Sequence, residues 1–138
     1  MQVREIMEKN IEYFSPDKNI TDAAKAMSEH NFGFIPVGEN DRLIGSLTDR
    51  DIAIRAVAEG KNPKETKIRD VMTKKVRYCF EDDDIEKAAE YMCQEKIRRL
   101  VVLNKDKRMV GIVSLSDLAA RSQDLSLCGH VLESISKH

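Results

Sequence analysis

The sequence predicts an α+β fold in which two β-α-β-β-α repeats pack sheet to sheet as one module with a pseudo-two-fold relation. Three observations carry this. The first is internal duplication: shifted by 65 residues, positions 3–37 lie over 68–102 with ten of 35 identical, among them Arg4/Arg69, Met7/Met72, Ile20/Ile85 and Met27/Met92. One extra loop residue moves the offset to 66, and positions 42–55 then lie over 108–121 with five of 14 identical, including Gly45/Gly111, Asp51/Asp117 and Arg55/Arg121. The second is that the same order of helical and strand patterns appears in both halves. The third is size: a unit of about 60 residues buries only about 60% of its unfolded surface and is marginal alone, so two copies sharing a core suit a chain of 138 residues.

Each repeat opens with a short extended segment, Ile11–Phe14 or Val76–Cys79. Ile20, Ala23, Ala24 and Met27 follow at i, i+3, i+4 and i+7, one apolar face of a helix over 20–30; Ile85, Ala88, Ala89 and Met92 repeat it. The apolar runs Phe34–Val37 and Leu100–Leu103 read as buried strands. Polar turns, Gly38–Asp41 and Asn104–Lys107, connect them to the strands Leu43–Leu47 and Met109–Val113, so each pair is a hairpin. A second helix opens at Thr48 or Ser114, and the first copy ends near Gly60, a residue suited to the C′ position. Lys61–Lys67, polar and containing Pro63, separates the halves. The division is therefore 1–62, 63–122 and a tail, 123–138, in which Leu125, Leu127, Val131, Leu132 and Ile135 can form a short helix with one apolar side.

Composition narrows the function. Hydrophobic residues are 41% and charged residues 34%, enough for a core under a solvated surface. The net charge of −1 gives no global attraction for nucleic acid or an anionic membrane. No run approaches the roughly 20 apolar residues of a membrane span, and Met1–Ile6 shows no apolar run after its charge, so no signal peptide is expected and the expected location is cytoplasmic. Cys79, Cys93 and Cys128 are too few and too scattered for a disulfide framework, and Cys128-Gly129-His130 lacks the further ligands a metal site needs. The acidic run Glu81–Asp84 reads as a solvated loop feeding a helix N-terminus. No nucleophile elbow, P-loop or dinucleotide fingerprint is present, so no catalytic role is expected.

Four pieces recur in order in both halves: Arg4-Glu5-Ile6-Met7 and Arg69-Asp70-Val71-Met72; Phe34-Ile35-Pro36-Val37 and Ile97-Arg98-Arg99-Leu100-Val101-Val102; Gly45-Ser46-Leu47 and Gly111-Ile112-Val113; then Thr48-Asp49-Arg50-Asp51 and Ser114-Leu115-Ser116-Asp117. Over about residues 3–121 the chain resembles a tandem pair of CBS domains, a Bateman module of the small stand-alone bacterial type. The resemblance implies a non-catalytic regulatory module that needs no cofactor. Its ligand would be an adenosine compound (AMP, ADP, ATP or S-adenosylmethionine) held in clefts between the repeats. It also implies a homodimer and a downstream protein that reads the ligand-dependent packing.

The residue chemistry fits that implication position by position. Thr48-x-x-Asp51 and Ser114-x-x-Asp117 are capping boxes by spacing; the resemblance adds a ribose-binding role for Asp51 and Asp117. The hydroxyls of Thr48, Ser114 and Ser116 can meet a phosphate at a first helical turn. Arg98 and Arg99 suit a phosphate through paired N–H donors, and strand alternation turns one of the two to the ligand. The first repeat has Gly33 and Phe34 at those places, with Arg50 as partial compensation, so two unequal sites are expected, Phe34 stacking on a base in the first. Arg55 and Arg121, one turn beyond the aspartates, can reach a phosphate or make i,i+4 pairs. Ile11, Val76 and Ile112 are candidate apolar wall residues. The competing readings are a ligand-free dimerising adaptor and, less supported, a metal-dependent hydrolase; neutral charge and few aromatics give nucleic-acid binding little support.

Overall fold

The computed structural model describes residues 1–137. It contains five helices and five strands: α1 (Ile20–His30), β1 (Phe34–Glu39), β2 (Arg42–Thr48), α2 (Asp49–Ile52), β3 (Tyr78–Phe80), α3 (Ile85–Glu95), β4 (Arg99–Leu103), β5 (Met109–Ser114), α4 (Leu115–Asp117) and α5 (Leu125–Ser136). Single 3-10 turns lie at Val3–Glu5 and Ile68–Asp70, and π-helical turns, Ala53–Val57 and Leu118–Ser122, extend α2 and α4.

Two compact units form, and they do not coincide with a cut at 62/63. One is Glu12–Val76; the other joins Met1–Ile11 to Arg77–His138. The cause is the lead-in segment of each repeat, which packs with the body of the other. Val3 and Ile6, fully buried, lie in the core with Ile85, Met92 and Leu100, whereas Ile68 and Val71 lie in the core with Ile20, Ile35 and Leu47. Backbone bonds repeat the exchange: Val3 N–H donates to Asp83 O (2.8 Å) and Arg4 N–H to Glu81 O (2.9 Å), as Ile68 N–H does to Lys18 O (2.8 Å) and Arg69 N–H to Pro16 O (2.9 Å). The stretch Lys61–Lys67 thus lies inside the first unit rather than at its end.

In the unit 12–76, β1 and β2 pair antiparallel from Phe34↔Thr48 to Glu39↔Arg42. Asn40 and Asp41 both have positive φ, the requirement of the tight two-residue hairpin turn that suits the strand twist. The leading segment contributes a single bridge, Phe14↔Val37, instead of the expected strand. The second repeat builds a full strand there, β3 parallel to β4 over three residues. The difference follows from one residue. Glu81 N–H donates to Leu103 O (2.9 Å), and the corresponding place in the first repeat is Pro16, which has no N–H to give.

α1 buries Ile20, Ala23, Ala26 and Met27. Ala24, expected on the buried face, is exposed, because the buried stripe runs through i+3 and i+6 rather than i+4. In α3 the expected face, Ile85, Ala88, Ala89 and Met92, is buried as a whole. Each helix ends on a left-handed residue, Asn31 or Lys96. Beyond the second helix of the first unit, Gly60 adopts φ +71°, the left-handed geometry that ends a helix. The tail forms α5, whose Val131 is fully buried against the core with Leu127 and Ile135 packed around it. Among the described residues no helix is long and apolar enough to cross a membrane.

Candidate functional site

The chemistry gathers where the second strand of each hairpin turns into a helix. In both units this junction is a reciprocal capping box. Asp51 N–H donates to Thr48 Oγ1 (3.0 Å) and Thr48 N–H to Asp51 Oδ2 (3.0 Å); Asp117 N–H donates to Ser114 Oγ (3.1 Å) and Ser114 N–H to Asp117 Oδ2 (2.9 Å). Four first-turn N–H groups lack helical partners, and a hydroxyl and a carboxylate three residues apart satisfy the outermost ones.

The two aspartates differ beyond the box. Asp51 is buried, Thr73 Oγ1 donates to both of its oxygens (3.3 Å each), and Arg55 pairs with it at 3.6 Å. At Asp117 the residue matching Thr73 is Glu8, an acid that cannot donate to a carboxylate. Asp117 is only half-buried, and among the described residues its bonds all fall on Oδ2. One carboxylate is therefore committed to the protein on both oxygens, and the other has no hydrogen bond to Oδ1 among the described residues.

Arg55 and Arg121 do not point to an open phosphate place. Arg55 Nη1 donates to the carbonyls of Val71 (3.1 Å) and Met72 (3.0 Å), and Arg121 Nη1 to those of Ile6 (3.1 Å) and Met7 (3.3 Å). These four carbonyls close the lead-in turns, and a guanidinium satisfies several without a second group. The arginines thus clamp the exchanged segments. Two glycines make the same crossing possible: a Cβ on Gly45 would stand 2.5 Å from Thr73 O, and one on Gly111 2.8 Å from Glu8 O. Close backbone pairs sit beside them, Ser46 with Thr73 and Ile112 with Glu8.

In the unit 1–11/77–137 a cavity of about 380 Å³ opens at the α4 junction. Arg98, Arg99, Ser114 and Ser116 line it, with Leu115 and Ala119 from the same helix. Both arginines reach it, whereas strand alternation favoured one. The strand starts only at Arg99, and Arg98 lies in the preceding loop, where its carbonyl accepts from Leu115 N–H (2.9 Å). Arg99 stands directly across from Ser114 in the ladder. Neither arginine has an ion pair among the described residues. The remaining wall comes from α5, through Cys128, Gly129 and Leu132. Those three were not among the ligand-site candidates from the sequence; the tail's apolar pattern signalled a helix, but nothing in it said where the helix docks.

The corresponding place in the unit 12–76 has the opposite character. Phe34 is across from Thr48, and Asp49 N–H donates to Gly33 O (3.0 Å) as Leu115 N–H does to Arg98 O. The Asp49 carboxylate lies so close to Gly33 that a Cβ there would be 2.5 Å from Oδ2. A negative group fills the space where the second repeat carries Arg98, and Arg50 is exposed beside it. The other candidates are dispersed. Ile11 falls in the unit with 77–138 and Val76 in the unit 12–76; neither lies in a strand, nor do they line the arginine cavity. Ile112 is half-buried in β5, and its backbone is engaged by Glu8.

Cysteine and metal chemistry are not prominent. Burial, reinforced by the Asp83 charge, pushes the Cys79 thiol up to about 12. Burial also raises Cys128, with Asp124 adding to it. No group of three or more metal-ligating side chains occurs among the described residues. Asp84 takes the N-cap position of α3 without a side-chain cap bond, and Asp83 accepts from Phe80 N–H (2.9 Å). The acidic run thus shapes its own loop.

Comparison with known proteins agrees with this construction. Residues 3–57 and 68–124 match the family model of the CBS domain. The chain therefore belongs to the CBS-domain family and carries two of these domains in tandem. It is 37% identical over 134 residues to the CBS domain-containing protein YhcV of Bacillus subtilis, covering 97% of this chain and 94% of that one. Its structure is similar to that of the CBS domain protein TA0289 of Thermoplasma acidophilum, with a TM-score of 0.84 and 30% identity over 97% of this chain and 75% of that one. It is also similar to the CBS domain pair of protein MJ0100, described in complex with 5′-methylthioadenosine and S-adenosyl-L-methionine. There the TM-score is 0.77 and the identity 29%, over 86% of this chain and 93% of that one.

Proposed function

We propose that this protein is a non-catalytic regulatory module that binds an adenosine-containing ligand and signals by a change in packing that a downstream protein reads. The observation that carries the reading is the arginine cavity. Two guanidiniums without ion pairs among the described residues and the hydroxyl of Ser116 surround one opening at a strand-to-helix junction, beside Ser114. Guanidinium and hydroxyl donors suit the oxygens of a phosphate. Asp117, beside them, offers an oxygen to ribose hydroxyls. The MJ0100 pair, described with two adenosine compounds, supports the adenosine part. Of the candidate ligands, AMP, ADP and ATP match two cationic groups better than the sulfonium of S-adenosylmethionine does.

Thr48, Arg50, Phe34 and Asp51 form the weaker counterpart in the unit 12–76. The adaptor reading has its own support in that unit: Asp51 is already partnered, and Ile54 and Val57 expose 47% and 67% of their surface beside it. A homodimer formed through such residues is compatible with ligand sensing.

Thermal unfolding of the full chain with AMP, ADP, ATP, S-adenosylmethionine and NAD tests the function. A ligand at about 100 times its dissociation constant adds about 2.7 kcal/mol to folding stability. The expected result is a rise with the adenine nucleotides that Asp117→Ala removes. A folded protein that responds to none of them would transfer the reading to the adaptor.

A further inference from the structure

Resting on that functional reading, we infer that α5 is part of the ligand site: it walls the arginine cavity, selects a ligand with an apolar part beside its anion, and is itself held down when the ligand binds. The CBS match ends at residue 124 and α5 begins at Leu125, so the helix lies outside both matched domains. It is nevertheless docked: Val131 is fully buried in the core with Leu127 and Ile135 packed against it, and Lys96 Nζ donates to Lys137 O (2.9 Å) at the far end.

Beside this docked face, Cys128, Gly129 and Leu132 turn to the cavity. Leu132, which lines the cavity, is 50% exposed. A Cβ on Gly129 would meet no atom within 4 Å, so the glycine stands against open space. Glycine inside a helix costs about 1 kcal/mol relative to alanine, and here it leaves room at the wall. The cavity is thus two-faced, with guanidiniums and hydroxyls from β4 and α4 and uncharged surface from α5. A nucleoside monophosphate has that division, an anionic phosphate and an apolar ring edge for Leu132 to cover. A ligand touching α5 binds better when the helix is docked, and by reciprocity it stabilises the docking.

Calorimetric titration of full-length variants with AMP and, separately, inorganic phosphate tests this. Gly129→Glu adds a carboxylate that competes for the arginines, and AMP binding should weaken by about tenfold or more, the scale of one charge-assisted hydrogen bond. Gly129→Ala adds bulk without charge and should weaken AMP far less than Gly129→Glu does. Leu132→Ala should weaken AMP by about three- to tenfold, the scale of uncovering part of an apolar side chain, and leave inorganic phosphate unchanged. Amide exchange in 125–136 should slow when AMP binds. If Arg99→Ala loses AMP while Gly129→Glu and Leu132→Ala bind it normally, the wall is refuted and the functional reading stands. If the parent protein binds no AMP at all, the functional reading falls and the wall with it.

Discussion

Replacing one glycine by alanine should have opposite signs at two positions of this chain. At Gly45 the added methyl would stand 2.5 Å from Thr73 O, a backbone atom fixed on both sides: Ser46 N–H donates to Thr73 O (3.0 Å) and Thr73 N–H donates back to Ser46 O (2.8 Å). Relief requires the two backbones to separate. Overpacking costs about 1–3 kcal/mol, and loosening two hydrogen bonds adds up to about 1 kcal/mol each. A loss of about 2–3 kcal/mol is expected for Gly45→Ala. Gly111→Ala should lose a similar amount, its methyl meeting Glu8 O at 2.8 Å. At Gly129 an added Cβ would meet nothing within 4 Å beyond the helix's own backbone, and the residue is inside α5, so alanine should add about 0.5–1 kcal/mol through helix propensity. Urea unfolding followed by circular dichroism measures all three. At about 2–4 °C per kcal/mol, the melting point of Gly45→Ala should fall by about 5–10 °C. If Gly45→Ala proves as stable as the parent, the close crossing of the lead-in segment does not constrain the fold, and the reasoning fails.

Further outcomes are expected. Arg99→Ala should weaken AMP by about ten- to a hundredfold, the range of a hydrogen bond to a charged group, and titration calorimetry reads it directly. Asp51→Ala should cost more stability than Asp117→Ala, because Asp51 has Thr73 and Arg55 as partners beyond its capping box; the first should lose about 1–2 kcal/mol, while the second should do more damage to nucleotide binding. The Cys79 thiol, raised to about 12 by burial, should resist alkylation at pH 8 in the folded protein and react once the chain is unfolded in urea. Its folded value lies above its unfolded one, so its contribution to stability is full below about pH 9 and is lost as pH rises toward 12. Cys79→Ala should remove about 1 kcal/mol per pH unit from that alkaline decline, as denaturation at pH 8 and pH 10 would show.

Much of the architecture was legible in the sequence because it is written in local, repeated patterns. Helical periodicity at 20–30 and 85–95, apolar runs bounded by polar turns, and the Thr48/Asp51 and Ser114/Asp117 spacing all act over a few residues. The helices, hairpins and capping boxes formed there accordingly. Where the local reading failed, a nonlocal partner decided. Ala24 is exposed because a helix's buried stripe depends on what it packs against. The strand expected at Ile11–Phe14 shrank to one bridge because Pro16 lacks the N–H that its counterpart Glu81 supplies.

The sequence by itself determined the duplication, the element order, the family and the residue types that can meet an anion. Only the tertiary structure decided which segment serves which repeat. The exchange of the lead-in turns is invisible locally, since Val3-Arg4-Glu5-Ile6 and Ile68-Arg69-Asp70-Val71 carry the same apolar signal and either could fill either core. The same holds for Arg55 and Arg121, whose spacing from the aspartates allowed a phosphate contact or an i,i+4 pair: Arg55 makes that pair with Asp51, and both guanidiniums are taken by backbone carbonyls of the lead-in turns. It holds again for α5, because an amphipathic tail states that it will dock and not where. Burial and hydrogen-bond satisfaction are properties of the assembled chain, and here they separate the arginines that hold the fold, Arg55 and Arg121, from Arg98 and Arg99, which line the cavity.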